Sequence, residues 1–260
     1  MLEPSRTATK PSNKWGAKFS TWCSMWHPDN ARLLNIGDTR SLCRGASDLL
    51  CDLFHAAALG PGLRQNLPRA LIIGDSISIG YTPFVKELLA GKVEVVHNEG
   101  NAADSSNVLA KLDQWLAAGP FQVIHFNCGL HDLKFTENSK TFQVPPETYR
   151  ENLGKIVSRL EASGAKLVWA TTTPVVDERH AKRGAGFSRY EKDVLSYNEI
   201  AQSVMRNRRV RMNDLHTAVV RQGTGRQVGP DGVHYTEAGY RLLAEQVTKA
   251  ISNQLTAGIR

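Results

Sequence analysis

Residues 70–78 read Ala-Leu-Ile-Ile-Gly-Asp-Ser-Ile-Ser, a four-residue apolar run that ends at a glycine and is followed by polar side chains. A short apolar run bounded by a turn residue is typical of a buried strand. Similar runs occur at 93–97, 123–126, 166–170 and 210–212, and helical patterns occur at 82–90, 107–118, 146–163, 188–206 and 236–255. This alternation over about 190 residues predicts a parallel sheet that is covered by helices on both faces.

The composition is typical of a globular protein and excludes several other classes. The 260 residues are 41% hydrophobic and 22% charged, which argues against collagen, coiled coil and bulk disorder. No apolar stretch approaches 18 residues, so no membrane span is predicted. The net charge of +7 is scattered, and its densest cluster, within 206–211, is interpreted as a solvated helix end. We therefore expect no nucleic-acid partner.

Residues 1–68 differ from the rest of the chain and are predicted to form an N-terminal extension to a catalytic domain at 69–260. They hold three of the four cysteines and three of the five tryptophans, without a clear helix or strand period over 1–45. An ordered cap, a poorly ordered leader and an over-extended start of translation all fit this segment. The cysteines contain no CxxC pair, which argues against a zinc site and leaves the redox compartment open.

The sequence does not assign a cellular location. The apolar stretch at 47–59 begins far from the N-terminus and is interrupted by Asp48 and Asp52, so it does not resemble a signal peptide. Cytoplasm is the default expectation on that ground, and secretion stays open. The oligomeric state is likewise not indicated.

Four polar clusters lie where the predicted sheet should bind its ligand. In open parallel sheets the ligand site lies outside the carboxyl ends of the strands. Segments 74–78, 98–105 and 127–132 each follow a predicted strand, and 231–234 precedes the last predicted helix. Together they contain the parts of an acyl-transfer site.

Ser76 is the candidate nucleophile of this site. A serine hydroxyl needs an adjacent base at neutral pH, and His234 is the candidate that takes its proton and later gives it to the leaving alcohol. Asp231, three residues earlier, can reach the other ring nitrogen and fix its tautomer. Gly74 is expected to let the chain turn sharply off the strand. The following helix directs its N-terminal amides at a developing oxyanion.

These residues carry a resemblance to the SGNH (GDSL-type) hydrolase family. The stretch 74–78 resembles the family's nucleophile block and 231–234 its Asp-x-x-His block. The resemblance covers about 69–255 and implies a flavodoxin-like three-layer α/β/α sandwich with a central parallel sheet of about five strands. It also implies ester hydrolysis through an acyl-serine intermediate, without a metal or organic cofactor.

The resemblance assigns the oxyanion hole to the amide of Ser76, the amide of Ala103 and the side chain of His131. The family has glycine where this chain has Ala103, whose amide can serve if the backbone does not need a positive φ. His131 stands in the place of the family's asparagine and can donate from a ring nitrogen. Gly100 and Asn127 are the alternatives to Ala103 and His131.

The predicted function is hydrolysis of short-chain acyl esters, such as acetyl esters, on a small-molecule or carbohydrate substrate. The absence of a long apolar lid in the sequence favours short acyl chains. A lipase or aryl-esterase, an acyltransferase and a catalytically weak binding protein on the same fold are the alternatives. The segment 175–187, with its several cations, is interpreted as a solvated loop or a lip for an anionic substrate.

Overall fold

A computed structural model describes residues 67–257 of the chain. The N-terminal extension predicted for 1–68 lies outside the described residues except for its last two. Its division from a catalytic domain at 69–260 therefore stays a prediction.

Five parallel strands form the central sheet, and two short strands form a separate hairpin. Within the described residues the strands are β1 (Arg69–Ile73), β2 (Glu94–His97), β3 (Val123–Phe126), β4 (Phe135–Thr136), β5 (Thr141–Phe142), β6 (Lys166–Ala170) and β7 (Arg211–Asn213). The sheet order is β2-β1-β3-β6-β7 with every pairing parallel. This is the flavodoxin-like order, in which the first strand lies between the second and third strands of the sheet. The predicted fold is confirmed.

Helices cover both faces of this sheet. They are α1 (Ser76–Leu88), α2 (Ser105–Leu116), α3 (Pro146–Ala162), α4 (Asp177–Ala181), α5 (Glu191–Asn207), α6 (Leu215–Arg221), α7 (Thr224–Gln227) and α8 (Glu237–Thr256). On one face α1 packs against α8, which also contacts α6. On the other face α3 packs between α2 and α5.

The core lies between the sheet and these two helical layers. All four residues of β3 are buried, as are four of the five residues of β1 and of β6. Because both faces are covered, these strands read as continuous apolar runs and not as alternating patterns. Trp169 of β6 packs edge-on against Phe126 of β3, with ring centroids 5.2 Å apart.

The largest difference from the sequence prediction is the start of α1, six residues earlier than the pattern at 82–90 indicated. The Asp75 side chain accepts a hydrogen bond of 2.9 Å from the amide of Ile77 and so caps the helix at Ser76. Pro83 lies inside the helix that results. The β4–β5 hairpin and the helices α4, α6 and α7 were also not predicted.

His125 of β3 is a fully buried histidine in the centre of the sheet. Its Nε2 lies 3.1 Å from Nδ2 of Asn213, which donates to it from β7. Burial lowers the pKa of His125 to about 3, so the imidazole is neutral in the folded protein.

This burial predicts a contribution of His125 to acid lability. Between about pH 6.5 and pH 3 the unfolded chain binds a proton at this site that the folded protein does not bind. Stability should therefore fall as the pH falls, by up to about 1.4 kcal/mol per pH unit. The measurement is the free energy of unfolding of wild type and His125→Leu at pH 7, 6, 5 and 4. The variant, although less stable at pH 7, should lose stability less steeply, and parallel curves would contradict the prediction.

Candidate active site

The carboxyl end of β1 leads directly into α1, so Ser76 is the first residue of a helix that begins at the edge of the sheet. Gly74 precedes this turn, and a Cβ placed there would lie 2.7 Å from the Oγ atom of Ser78. The backbone of Gly74 has a negative φ. Glycine is thus required here by the close approach of Ser78, and not by the unusual turn that the sequence had suggested.

A chain of hydrogen bonds joins Ser76, His234 and Asp231. Ser76 Oγ lies 2.9 Å from His234 Nε2, and His234 Nδ1 lies 2.5 Å from Asp231 Oδ2. The other carboxylate oxygen of Asp231 accepts from the amides of Val233 and His234. Because an ionised Asp231 accepts from Nδ1, the tautomer we assign leaves Nε2 free to accept the proton of the Ser76 hydroxyl.

The surroundings of Asp231 keep its carboxylate ionised. Partial burial acts to raise its pKa, but the hydrogen bonds from the His234 side chain and from the two amides outweigh burial and lower the pKa to about 2. Arg183 Nη1 also lies 3.8 Å from Asp231 Oδ2. Asp231 therefore carries its negative charge at every pH at which His234 would act as a base.

The loop that carries Asp231 and His234 is fixed against α4. Val176 donates a backbone hydrogen bond of 2.8 Å to the carbonyl of Gly232. Gly232 has a φ of +76°, and a Cβ there would lie 2.5 Å from the amide nitrogen of His180 and 2.6 Å from the carbonyl oxygen of Val176. Only glycine fits this contact.

The loop after β2 is tied to the nucleophile loop by Asn98. Its Oδ1 accepts from the amide of Gly74 at 2.9 Å, and its Nδ2 donates to the carbonyl of Gly100 at 3.0 Å.

Ala103 has a φ of +53°, so the backbone does adopt the conformation that normally favours glycine. The Ala103 amide donates to Asn101 Oδ1 at 2.8 Å. It must leave this acceptor before it can bind an oxyanion.

His131 lies beside the nucleophile loop, with its Nε2 3.9 Å from Asp75 Oδ2. Burial, together with the positive charges of Lys134 and Arg189, lowers the pKa of His131 to about 4. The ring is therefore neutral at ordinary pH, with one N–H to donate and one lone pair.

Asn127, the alternative to His131, has its amide hydrogens engaged elsewhere. Its Nδ2 donates to the carbonyl of Ala170 at 2.8 Å and to Thr172 Oγ1 at 3.3 Å. These bonds join the loop after β3 to the loop after β6. Asn127 is thus a brace between two loops in this structure.

A second serine–histidine pair near the site was not predicted. Ser78 Oγ lies 2.6 Å from His97 Nε2, and His97 Nδ1 lies 2.8 Å from the carbonyl of Asn98. Burial lowers the pKa of His97. Because Nδ1 faces a carbonyl oxygen, this pair has no carboxylate partner of the kind that Asp231 gives to His234. The only sequence signal for it was that His97 ends β2 and Ser78 lies in the first turn after β1, and these two strands are neighbours in the sheet.

Within residues 67–257, no group of three or more histidine, cysteine, aspartate or glutamate side chains is arranged to hold a metal ion. No helix in that range is long and apolar enough to cross a membrane.

Comparison with known proteins identifies the family of the chain. A model of the GDSL-like lipase/acylhydrolase family matches residues 72–242, about two thirds of the chain. The chain belongs to this family. It is accordingly a carboxylic ester hydrolase, as the resemblance implied. No curated protein sequence matches the chain.

Solved structures with the same fold include several ester hydrolases. A lipase/acylhydrolase from Enterococcus faecalis superposes with a TM-score of 0.61 at 20% identity, over 72% of this chain and 97% of its own. A variant of an acetyl xylan esterase from Geobacillus stearothermophilus superposes with a TM-score of 0.59 at 16% identity, over 71% of this chain and 94% of its own. At these identities the likeness shows the fold.

The contact between Gly232 and α4 predicts a sharp effect of one added methyl group. Gly232→Ala should destabilise the protein by more than about 2 kcal/mol, because strain at positive φ is added to a clash with backbone atoms. It should also lower kcat/KM for 4-nitrophenyl acetate about 100-fold by shifting Asp231 and His234. The measurements are urea unfolding and initial rates.

Gly223→Ala is the matched control. Gly223 also has a positive φ, of +83°, but its added Cβ would meet nothing closer than Arg226 Cδ at 4.0 Å. We expect only the backbone strain of about 1–2 kcal/mol in this variant. Equal losses of stability and activity in the two variants would contradict the role assigned to the contact with α4.

Proposed function

We propose that the chain is a serine esterase that hydrolyses short-chain acyl esters, with Ser76 as nucleophile, His234 as general base and Asp231 as the residue that orients His234. The observation that carries the proposal is the unbroken series of contacts from Ser76 Oγ through the His234 ring to Asp231, at 2.9 Å and 2.5 Å. In this proposal residues 69–260 are the catalytic domain and 1–68 its extension.

The reaction follows from the hydrogen bonds of these three residues. His234 Nε2 accepts the Ser76 proton as Ser76 Oγ attacks the ester carbonyl, and Asp231 stabilises the imidazolium that forms. The imidazolium then gives its proton to the leaving alcohol, which leaves an acyl-Ser76. A water molecule, deprotonated by His234, attacks this acyl group. The imidazolium then returns the proton to Ser76 Oγ as the bond to the acyl carbon breaks, which releases the acid and the free serine.

The oxyanion that forms in both steps needs fixed donors. We assign this role to the Ser76 amide at the start of α1 and to the neutral ring of His131. The Ala103 amide is the third proposed donor, and it serves only when it exchanges Asn101 Oδ1 for the oxyanion. The occupied amide group of Asn127 makes that residue a weaker candidate than His131.

Two observations support short acyl chains such as acetyl. Among the large hydrophobic side chains that are exposed within the described residues, only Ile79, one helical turn after Ser76, is close to the nucleophile in sequence; the others lie elsewhere on helices and on β7: Leu88, Leu195, Met212 and Val220. A long acyl chain would therefore find little exposed apolar surface beside Ser76 other than Ile79. Two of the structural neighbours are acetyl xylan esterases.

The first test is hydrolysis of 4-nitrophenyl esters from acetate to palmitate by wild type and Ser76→Ala. We expect the highest kcat/KM at acetate or butyrate and a loss of at least about 1,000-fold in the variant, because the nucleophile is absent. Equal melting temperatures would show that the variant is folded. Undiminished turnover by Ser76→Ala, or an optimum at palmitate, would contradict the proposal.

The second test concerns His131. His131→Ala should lower kcat by about 10²–10³-fold if the ring is an oxyanion donor, and His131→Asn should recover a large part of this loss because its amide can also donate. Since the pKa of His131 is about 4, the loss should be the same from pH 6 to pH 9. If kcat falls in both variants in proportion to the fall in their melting temperatures, the His131 ring instead only braces the loop.

A further inference from the structure

A largely buried cation beside the site has no direct ion-pair partner among the described residues. Arg189 is 5% exposed, and its Nε donates to the carbonyl of Leu130 at 2.7 Å. Within residues 67–257 its two terminal nitrogens make no hydrogen bond or ion pair of their own. They are not among the buried atoms that lack a partner, so they reach solvent although most of the side chain is buried, which is uncommon for an unpaired arginine. The guanidinium thus has a fork of free donors to offer.

Arg189 is held close to the proposed oxyanion donor. Leu130, which accepts from its Nε, immediately precedes His131. The neighbouring residue Ser188 exchanges two backbone hydrogen bonds with Phe135, at 2.9 Å and 2.8 Å, so the segment around Arg189 is paired with the loop after β3. Its positive charge acts on Asp75, the residue before Ser76, and on Asp231.

Two further cations accompany Arg189. The guanidinium of Arg189 and the ammonium of Lys134 lie 5.0 Å and 5.1 Å from the centre of the Phe187 ring. Arg183 reaches to within 3.8 Å of Asp231 from the same segment. Burial lowers the pKa of Arg189 to about 10, so it is still charged at neutral pH.

The carboxyl of Asp75 does not neutralise Arg189 by direct contact. Asp75 Oδ1 caps α1, while Asp75 Oδ2 is buried without a hydrogen-bond partner among the described residues. No atom of Asp75 lies within ion-pair distance of the guanidinium. Within residues 67–257 the terminal donors of Arg189 therefore have no carboxylate at ion-pair distance.

We infer that Arg189, with Lys134 and Arg183 around it, binds a carboxylate of the substrate, so that the preferred substrates are esters whose acyl or alcohol part is itself a carboxylic acid. This inference rests on the proposed function, since it assigns a substrate class to the same site. A guanidinium presents parallel N–H donors that match the two oxygens of a carboxylate. A neutral ester offers the guanidinium no charged partner of this kind, and this difference creates the preference.

The test compares charged esters with neutral esters of nearly the same shape. On the alcohol side the pair is 4-acetoxybenzoate and 4-acetoxybenzamide. On the acyl side it is mono-4-nitrophenyl adipate and its methyl ester. We expect wild type to favour the anion in at least one pair by about tenfold or more in kcat/KM. Arg189→Gln should bring that ratio close to one, and Lys134→Met should lower it by a smaller factor.

Lys182→Gln is the matched control for the overall charge. Lys182 is exposed and lies in the same segment, so its removal subtracts one positive charge without touching the proposed site. The ratio of the preferred pair should be unchanged in this variant. If this ratio fell equally in Lys182→Gln and Arg189→Gln, the preference would be due to long-range attraction by a basic protein, and the inference would be overturned.

The outcomes separate this inference from the proposed function. Turnover of the neutral esters by wild type without any preference for the anions would overturn only the inference. If no ester is turned over, isothermal titration calorimetry with 4-hydroxybenzoate and 4-hydroxybenzamide tests the carboxylate site by binding alone. Binding of 4-hydroxybenzoate but not of 4-hydroxybenzamide, if it is lost in Arg189→Gln, would support the carboxylate site. Equal binding of the two compounds, or no binding of either, would overturn it. Should Arg189→Gln fail to fold, Lys134→Met and Arg183→Gln carry the same comparison.

Discussion

The contact between His234 Nε2 and Ser76 Oγ joins residues that are 158 positions apart in the chain. It depends on the packing of α1 against α8, because Ser76 begins the first helix and His234 lies just before the last. Gly80 makes this packing possible: a Cβ at that position would lie 2.2 Å from Cε1 of Tyr240 on α8. The absence of one side chain on α1 thus lets the two ends of the domain meet at the edge of the sheet.

Buried polar side chains fix the loops around this contact. Asn98 joins the loop after β2 to Gly74, and Asn127 joins the loop after β3 to the loop after β6. Asp132 accepts from the amide of Ser105 at 2.9 Å and so fixes the start of α2. Because polar groups away from water strongly favour the arrangement in which they are paired, these bonds hold the loops around Ser76 in place.

The sequence was sufficient for the parts of this structure that depend on local pattern. The strands at 123–126 and 166–170 have the predicted bounds, and the clusters at 74–78 and 231–234 lie at the predicted edge. The start of α1 was missed because the Asp75 side chain caps the helix at Ser76, whereas the helical pattern in the sequence begins only at Thr82. The residues between the cap and Thr82 include Gly80 and two isoleucines, which are weak helix formers and so gave no helical signal in the sequence.

The positive φ of Ala103 and the bond from its amide to Asn101, two residues earlier, form a local turn that the sequence prediction did not include. Other features depend on contacts between distant loops, which no local pattern encodes. The role of Arg189 follows from the loop after β3 folding back on Ser188. In the sequence, Arg189 is one of several scattered cations, and only its burial beside Leu130 distinguishes it from the exposed Lys182.

The charges around the site form a consistent electrostatic frame for the proposed reaction. Asp231 is kept ionised by its hydrogen bonds, His131 is kept neutral by burial and neighbouring cations, and Arg189 is kept charged. None of these three groups changes its protonation state between pH 6 and pH 9. In the proposed reaction these three groups therefore neither take up nor release a proton, and the transferred proton passes between Ser76, His234 and the substrate. The surrounding groups supply fixed charges and dipoles, and fixed dipoles need no reorganisation as the oxyanion forms.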